Sequence, residues 1–167
     1  ISMNHHGMRM SLISRELIAD SIEAVVRGHA YDALIGFAGC DKTLPGIMMA
    51  MVRLNIPSVF MYGGAMLPGQ WRGKDVSAVN VYEGVGAHYA GTMSEADLFS
   101  MAAECSPTIG SCPGQFTANT MAMVSEVLGL ALPGSAMLPA VYSDRIAMAR
   151  HAGEVVLRIL KNSGPLP

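Results

Sequence analysis

Apolar residues recur at helical spacing between Ser14 and His29, with Leu17, Ile18, Ile22, Val25 and Val26 on one side and Asp20, Glu23 and Arg27 on the others. This pattern predicts an amphipathic helix. A continuous apolar run follows, Ala33-Leu34-Ile35-Gly36-Phe37-Ala38, which has the length of a buried strand. Ile47, Met48, Met51 and Val52 then make one face of a second helix, over 44–52, and Asn55-Ile56-Pro57 ends it before a second strand, Ser58 to Tyr62. The right-handed crossover of such a β-α-β unit makes its two strands parallel. From Gly63 to Asp75 the pattern lapses, and the four Gly, one Pro and only Trp of the chain found there predict a long functional loop. The segment from Val81 to Ala90 is apolar but punctuated by glycines. Ser94-Glu95-Ala96-Asp97 reads as a helix start, and Thr117 to Leu128 as a helix closed by Gly129. A last helix is expected from Tyr142 to Leu160, with Ile146, Ala149, Val156 and Leu160 near one face. Without repeat or low-complexity linker, the pattern predicts one α/β domain over 1–167, a parallel sheet flanked by helices in αβα layers.

Composition adds a constraint on the surface. The chain is 51% hydrophobic and 14% charged, where an independent domain has about a quarter of its residues charged. Part of the surface is therefore expected to meet more protein. The fourteen methionines lie mostly at helical spacing beside Ala and Val, which predicts that they fill core gaps. No apolar run approaches the roughly 20 residues of a membrane span, and no signal peptide is visible. A formal charge of -2 supplies no electrostatic footprint for nucleic acid. The first residue is Ile1, and the chain stops at Gly164-Pro165-Leu166-Pro167, so a piece of a longer polypeptide is expected.

Candidate chemistry gathers in two glycine-rich turns. Cys40-Asp41-Lys42 follows the first predicted strand and opens into a helix, the place where open α/β sheets collect ligands. Gly110-Ser111-Cys112-Pro113-Gly114 likewise opens into the Thr117 helix. Three cysteines cannot all pair within one chain, which favours free or ligating thiols. From the residues alone, Cys40 is either a small core thiol or a soft-metal ligand, and Asp41-Lys42 either an ordinary surface ion pair or part of a hard-cation site. Gly39 and Gly110 are expected to let backbone approach a bulky inorganic group closely. Cys105 is expected to be a buried thiol, and the adjacent His5 and His6 do not stand at zinc spacing. Neither G-x-G-x-x-G nor a P-loop occurs, and a thiol and a proline occupy the turn where a phosphate cradle would present bare amides. A nucleotide-binding module and a catalytically silent interaction domain nevertheless stand as alternatives.

Gly39 to Gly46, Tyr62-Gly63-Gly64, Leu67-Pro68-Gly69 and Gly110 to Met121, in this order, resemble the iron–sulfur dihydroxy-acid and sugar-acid dehydratases, most closely the dihydroxy-acid branch. Ile1-Ser2-Met3, Gly7-Met8-Arg9, Ser14-Arg15-Glu16 and Ala131-Leu132-Pro133-Gly134 also fit. The resemblance implies that Cys40 and Cys112 are two of three thiolates on a 2Fe-2S or 4Fe-4S cluster, and that Asp41 and a carbamate on Lys42 bind Mg²⁺. Only roughly one lysine in a few thousand is neutral at pH 7, so desolvation and a nearby cation must favour the amine that takes up carbon dioxide. It further implies a third cysteine and another magnesium-binding aspartate upstream of Ile1, and a proton-abstracting serine in an absent C-terminal domain, with no catalytic residue inside this chain. The implied enzyme is a hydro-lyase that turns 2,3-dihydroxy-3-methyl carboxylic acids into 2-oxo acids in valine and isoleucine synthesis; an aldonate or phosphogluconate dehydratase is the alternative. Its implied partners are the substrate, the rest of the polypeptide and a second copy, in a homodimer or homotetramer. Its implied place is the bacterial cytoplasm or an organelle matrix. His6 stands where the family more often has an acidic residue and Asn4 where it has Gly, and both are taken as entrance-loop variation. The isolated chain is expected to be inactive.

Overall fold

The structure, a computed structural model, describes residues 5–163. Asn4, the Ile1-Ser2-Met3 motif and Gly164 to Pro167 lie outside the described residues. The chain runs through α1 (Met8–Ser11), α2 (Ser14–Gly28), β1 (Leu34–Ala38), α3 (Thr43–Leu54) and β2 (Ser58–Tyr62). β1 and β2 are parallel, in register from Leu34 opposite Ser58 to Ala38 opposite Tyr62. The predicted β-α-β unit is thus present. On the far edge of β2, Phe60 bridges in parallel to Ala131 and donates its N–H to the Leu130 carbonyl at 2.7 Å.

Alternating side chains of this small sheet supply two cores. Ala38, Phe60 and Tyr62 pack with Leu44, Ile47, Met48 and Met51 of α3 and with Ala118 and Ala122 of α6 (Thr117–Val127). Val59 packs the other way, against Leu132 and against Ala152 and Val156 of α7 (Asp144–Asn162). Helices on both faces make the expected αβα layering. Leu44 and Phe60 are fully buried, and each contributes about 1.5–3 kcal/mol through that burial. Gly36 lets α3 come close, because a Cβ there would stand 2.3 Å from Ile47 Cγ2. α2 lies against α3, with Ile18 and Ile22 partly buried against the first of these cores.

Several expectations change in detail. Leu17 and Val25 of α2 are exposed, whereas Ala19 and Val26 are its buried residues, because α2 lies mainly on α3 and turns Leu17 and Val25 away from it. Of the methionines, Met48, Met51 and Met101 are buried while Met8, Met10, Met123 and Met137 are exposed, so core filling accounts for only some of them. The segment read as a long loop contains a hairpin, β3 (Gly69–Trp71) antiparallel to β4 (Lys74–Val76). Its two-residue turn holds Arg72 at φ 51° and Gly73 at φ 75°, the paired positive φ of a primed turn. Arg is not among the usual residues of that turn, which hid the hairpin. The glycine-punctuated stretch forms α4 (Ala78–Tyr89), started by the Asn80 side chain accepting the Ser77 N–H at 2.9 Å. Ser94 caps α5 (Glu95–Glu104) as expected, its hydroxyl accepting the Asp97 N–H at 3.1 Å.

The end of α2 sets up a clear stability contrast. Ala30 donates to the Arg27 carbonyl at 3.2 Å and Tyr31 to the Val26 carbonyl at 3.1 Å, the paired bonds of a Schellman motif, and Ala30 holds φ 52°. Left-handed backbone costs a non-glycine residue roughly 1–2 kcal/mol, partly offset by the extra entropy glycine loses. Ala30→Gly is therefore predicted to stabilise the fold by about 0.5–1 kcal/mol. Gly69→Ala, whose Cβ would fall 1.7 Å from the Glu104 carbonyl oxygen, is predicted to cost about 1–3 kcal/mol. Urea unfolding of the two variants checks both signs; a destabilised Ala30→Gly or a tolerated Gly69→Ala contradicts them.

Candidate functional site

The two cysteine turns are brought together by what β2 does after it ends. Gly63 donates its N–H to the Ala38 carbonyl at 2.7 Å, tying the chain beyond β2 to the end of β1. Two residues later Ala65 bridges in parallel to Ser111. Ser111 donates to the Gly64 carbonyl at 2.9 Å and accepts the Met66 N–H at 2.9 Å. The turn after β1 and the turn carrying Cys112 therefore flank one short extension of β2. Gly110 is needed there for two reasons: its φ is 129°, and a Cβ would lie 2.3 Å from the Met66 nitrogen. On the side where a Cβ would stand, the close neighbour of Gly110 is thus protein backbone. Gly39 does face open space.

The first turn is held by α3. Cys40 donates its N–H to Thr43 Oγ1 at 3.1 Å, and its carbonyl accepts from Thr43 Oγ1 at 2.9 Å and from the Leu44 N–H at 3.1 Å. Lys42 Nζ lies 3.3 Å from Asp41 Oδ2, with side chains 17% and 30% exposed respectively. The pair is thus less exposed than an ordinary surface ion pair. Asp41 Oδ1 is buried with no hydrogen-bond partner, an uncommon and costly condition for a polar atom that a ligand would relieve. Burial raises the Cys40 pKa above its ordinary value, and the charges of Asp41 and Cys112 raise it further against one backbone hydrogen bond. Cys112 therefore lies within electrostatic reach of Cys40.

This set offers two soft thiols, one unpaired hard oxygen and a covered amine. Those donors fit part of a soft-metal centre and part of a hard-cation site. Among the described residues, no group of three or more His, Cys, Asp or Glu side chains is gathered to hold a metal ion by itself. Cys105 is half-buried at the end of α5, its thiol donating to the Ala102 carbonyl at 3.2 Å, so the thiol expected to be buried is only partly covered. His5 and His6 are exposed. The amides of Ser111 and Met66 are already bonded to Gly64 and Ser111, which leaves them unavailable to cradle phosphate. A groove of about 260 Å³ opens elsewhere, between the β3–β4 hairpin and α4, lined by Trp71, Lys74, Asp75, Asn80 and Glu83.

A polar brace behind the turns escaped the sequence reading. Tyr62, fully buried, shares a hydrogen bond with Ser111 Oγ. Arg145 lies over the Tyr62 ring, its Cζ 5.4 Å from the centroid, and donates to the Tyr62 carbonyl at 2.5 Å and to the Leu138 carbonyl. Asn119 Nδ2 donates to the Ala136 carbonyl at 2.9 Å, while Glu126 accepts the N–H groups of Gly134 and Ala136. The one available signal was Tyr62 at the end of a buried strand, since a buried tyrosine hydroxyl needs a partner.

Comparison with known proteins gives the site a context. The family model described as "Dihydroxy-acid/6-phosphogluconate dehydratase N-terminal" matches residues 1–166. The chain is similar to dihydroxy-acid dehydratase 2 of Bordetella bronchiseptica, with 64% identity over 99% of this chain and 29% of that protein. It is 57% identical to dihydroxy-acid dehydratase 3 of Bradyrhizobium diazoefficiens, over 100% of this chain and 29% of the relative. The dihydroxy-acid dehydratase of Clostridium botulinum is 51% identical over 97% of the chain and 29% of its own length. The chain thus spans about 29% of the length of these curated relatives.

Proton linkage at the site is testable. Burial raises Cys40 above 9.0 and Tyr62 above 10.0, so the unfolded chain releases these protons first. Their contribution to stability is complete below about pH 9 and is lost as pH rises through the raised folded values. Urea midpoints measured from pH 7 upward are predicted to fall beyond pH 9, with a shallower fall in Cys40→Ala. A midpoint that stays level or rises over that range contradicts the assignment.

Proposed function

The chain belongs to the dihydroxy-acid/6-phosphogluconate dehydratase family, matching its N-terminal part, and from that premise we propose that it forms part of a dihydroxy-acid dehydratase. This hydro-lyase removes the C2 proton and the C3 hydroxyl of a 2,3-dihydroxy-3-methyl carboxylic acid; the resulting enol becomes the 2-oxo acid of branched-chain amino-acid synthesis. The observation that carries the proposal is the unpaired, buried Asp41 Oδ1 between a covered lysine and Cys40, with Cys112 within electrostatic reach.

Each residue has a role that follows from its surroundings. Cys40 and Cys112 hold an iron–sulfur cluster, of the 2Fe-2S or 4Fe-4S type, as thiolates. Burial favours the neutral Cys40 thiol, so its ionisation is coupled to metal binding, which deprotonates a coordinating thiol. The unpaired Asp41 Oδ1 would be a donor to Mg²⁺. Lys42 is largely covered beside Asp41, and a cation held by Asp41 would further favour the neutral amine and therefore its carbamate, which would add an anionic oxygen. Bound together, the cluster and Mg²⁺ supply Lewis acidity for departure of the C3 hydroxyl and for holding the carboxylate and C2 oxygen.

The base that takes the C2 proton is a serine outside this chain, in a C-terminal domain that completes the site. Residues 1–167 form a single piece of the N-terminal catalytic domain. Phe37, Leu17, Val25, Val127 and Leu128 are exposed, which supports a surface covered by the remaining polypeptide or by another subunit of a homodimer or homotetramer. No helix among the described residues is long and apolar enough to cross a membrane, and the proposed location is the cytoplasm or an organelle matrix. The 167-residue chain alone, with only part of the ligand set, is inactive under this reading.

In the full-length enzyme, Cys112→Ala is predicted to abolish both turnover and cluster absorbance, whereas Cys105→Ala keeps both. Iron and sulfide assays on the purified variants decide this, and equal iron loss in the two would overturn the ligand assignment. Because the family also includes 6-phosphogluconate dehydratases, substrate choice is a separate test. The enzyme is predicted to favour dihydroxyisovalerate over arabinonate or xylonate by roughly tenfold or more in kcat/KM. Higher efficiency on either aldonate would contradict the dihydroxy-acid assignment.

A further inference from the structure

We propose that Tyr62 is a positioning residue for Cys112, its hydroxyl holding Ser111 and thereby fixing the direction from which the neighbouring thiolate meets its metal. The inference rests on the reading of Cys112 as a cluster ligand and assigns a specific support to it. Tyr62 ends β2 directly opposite Ala38, two residues before Cys40, and its hydroxyl meets the residue just before Cys112. It therefore stands between the two cysteine turns.

Tyr62 itself is tightly held. It is 0% exposed and Ser111 is 6% exposed. Arg145 clamps the ring and the Tyr62 carbonyl from the side of α7. The clamp is closely packed on the Gly64 side, since a Cβ on Gly64 would lie 2.6 Å from the Ala140 nitrogen and 2.8 Å from Arg145 Nη2. Ser111 in turn is fixed at three points: its N–H on Gly64, its carbonyl under Met66 N–H and its hydroxyl on Tyr62. The Ser111 carbonyl belongs to the peptide that joins Ser111 to Cys112, so the plane from which the cysteine side chain departs is set by this arrangement. Groups that orient a metal ligand from behind commonly change metal affinity 10–100-fold when removed.

Removing the Tyr62 hydroxyl leaves Ser111 Oγ buried without its partner, and removing both hydroxyls is the milder change. Ser125, fully buried in α6 with its hydroxyl on the Ala122 carbonyl at 2.5 Å, is a control for general loosening of the core. The test uses the full-length, cluster-loaded enzyme in wild-type, Tyr62→Phe, Ser111→Ala, the double variant, Ser125→Ala and Cys112→Ala forms. Iron release to 2,2′-bipyridyl, the visible thiolate-to-iron absorption band and the thermal midpoint are read for each.

Tyr62→Phe is expected to speed iron release roughly 10–100-fold and to shift the visible band, with the double variant no worse than Tyr62→Phe. Ser125→Ala is expected to lower the thermal midpoint without changing the band. Wild-type release and an unshifted band in Tyr62→Phe overturn the positioning role, as does equally fast release from Ser125→Ala. If Tyr62→Phe does not fold, Ser111→Ala decides by the same criteria. Iron retention in Cys112→Ala instead overturns the underlying ligand reading, which keeps the two failures distinct.

Discussion

The pairing of Ala65 with Ser111 is the constraint on which the site depends. Parallel strands deliver their carboxyl ends to one edge of a sheet, but β1 and β2 alone would bring only the Cys40 turn there. By continuing past Tyr62 and taking Ser111 as a neighbour, the chain brings in a turn from the approach to α6, 49 positions beyond Tyr62. The short backbone ladder of Gly63 to Ala38, Ser111 to Gly64 and Met66 to Ser111 replaces a longer strand. Gly110 is the only residue type compatible with it, on both φ and the closeness of Met66.

Burial then decides the chemistry that this meeting point supports. An unpaired carboxylate oxygen on Asp41, a largely covered Lys42 and a Cys40 thiol held neutral by desolvation are each unfavourable in a bare protein. All three become favourable around cations, which satisfy the oxygen, stabilise a neutral or carbamylated amine and ionise the thiol. Under the proposed reading, the fold stores the cost of an incomplete site in residues whose chemistry a metal would complete. The many exposed apolar side chains tell a parallel story at the scale of the surface. Phe37 on β1 and Leu17 and Val25 on α2 are placed as interior residues of a larger body would be.

Legibility in the sequence followed sequence distance. β2 was read with its observed bounds, α2, α3, α6 and α7 to within a few residues, and α5 by its start alone, because periodicity and end signals such as Ser94 and Gly129 are local. The Cys40-Asp41-Lys42 trio was visible for the same reason. The β3–β4 hairpin was missed because Arg72 occupies a turn position normally taken by Asn, Asp or Gly. The brace was missed because its partners are remote: Tyr62 and Ser111 are 49 positions apart, and Arg145 and Tyr62 are 83 apart. No spacing rule predicts such contacts, and only the fold brings them together. The closeness of Met66 backbone to Gly110 was likewise not visible in the sequence.

The central claim, that this ladder makes Cys40 and Cys112 one dithiol site, is tested most directly on the metal-free protein with phenylarsine oxide, a trivalent arsenical that bridges adjacent thiols. Intact-mass analysis should show one arsenical bound per chain. Subsequent iodoacetamide treatment should find Cys40 and Cys112 protected together and Cys105 alkylated. Protection of Cys105, or alkylation of Cys40 and Cys112 at the rate seen without the arsenical, would show that the two turns do not form a common site.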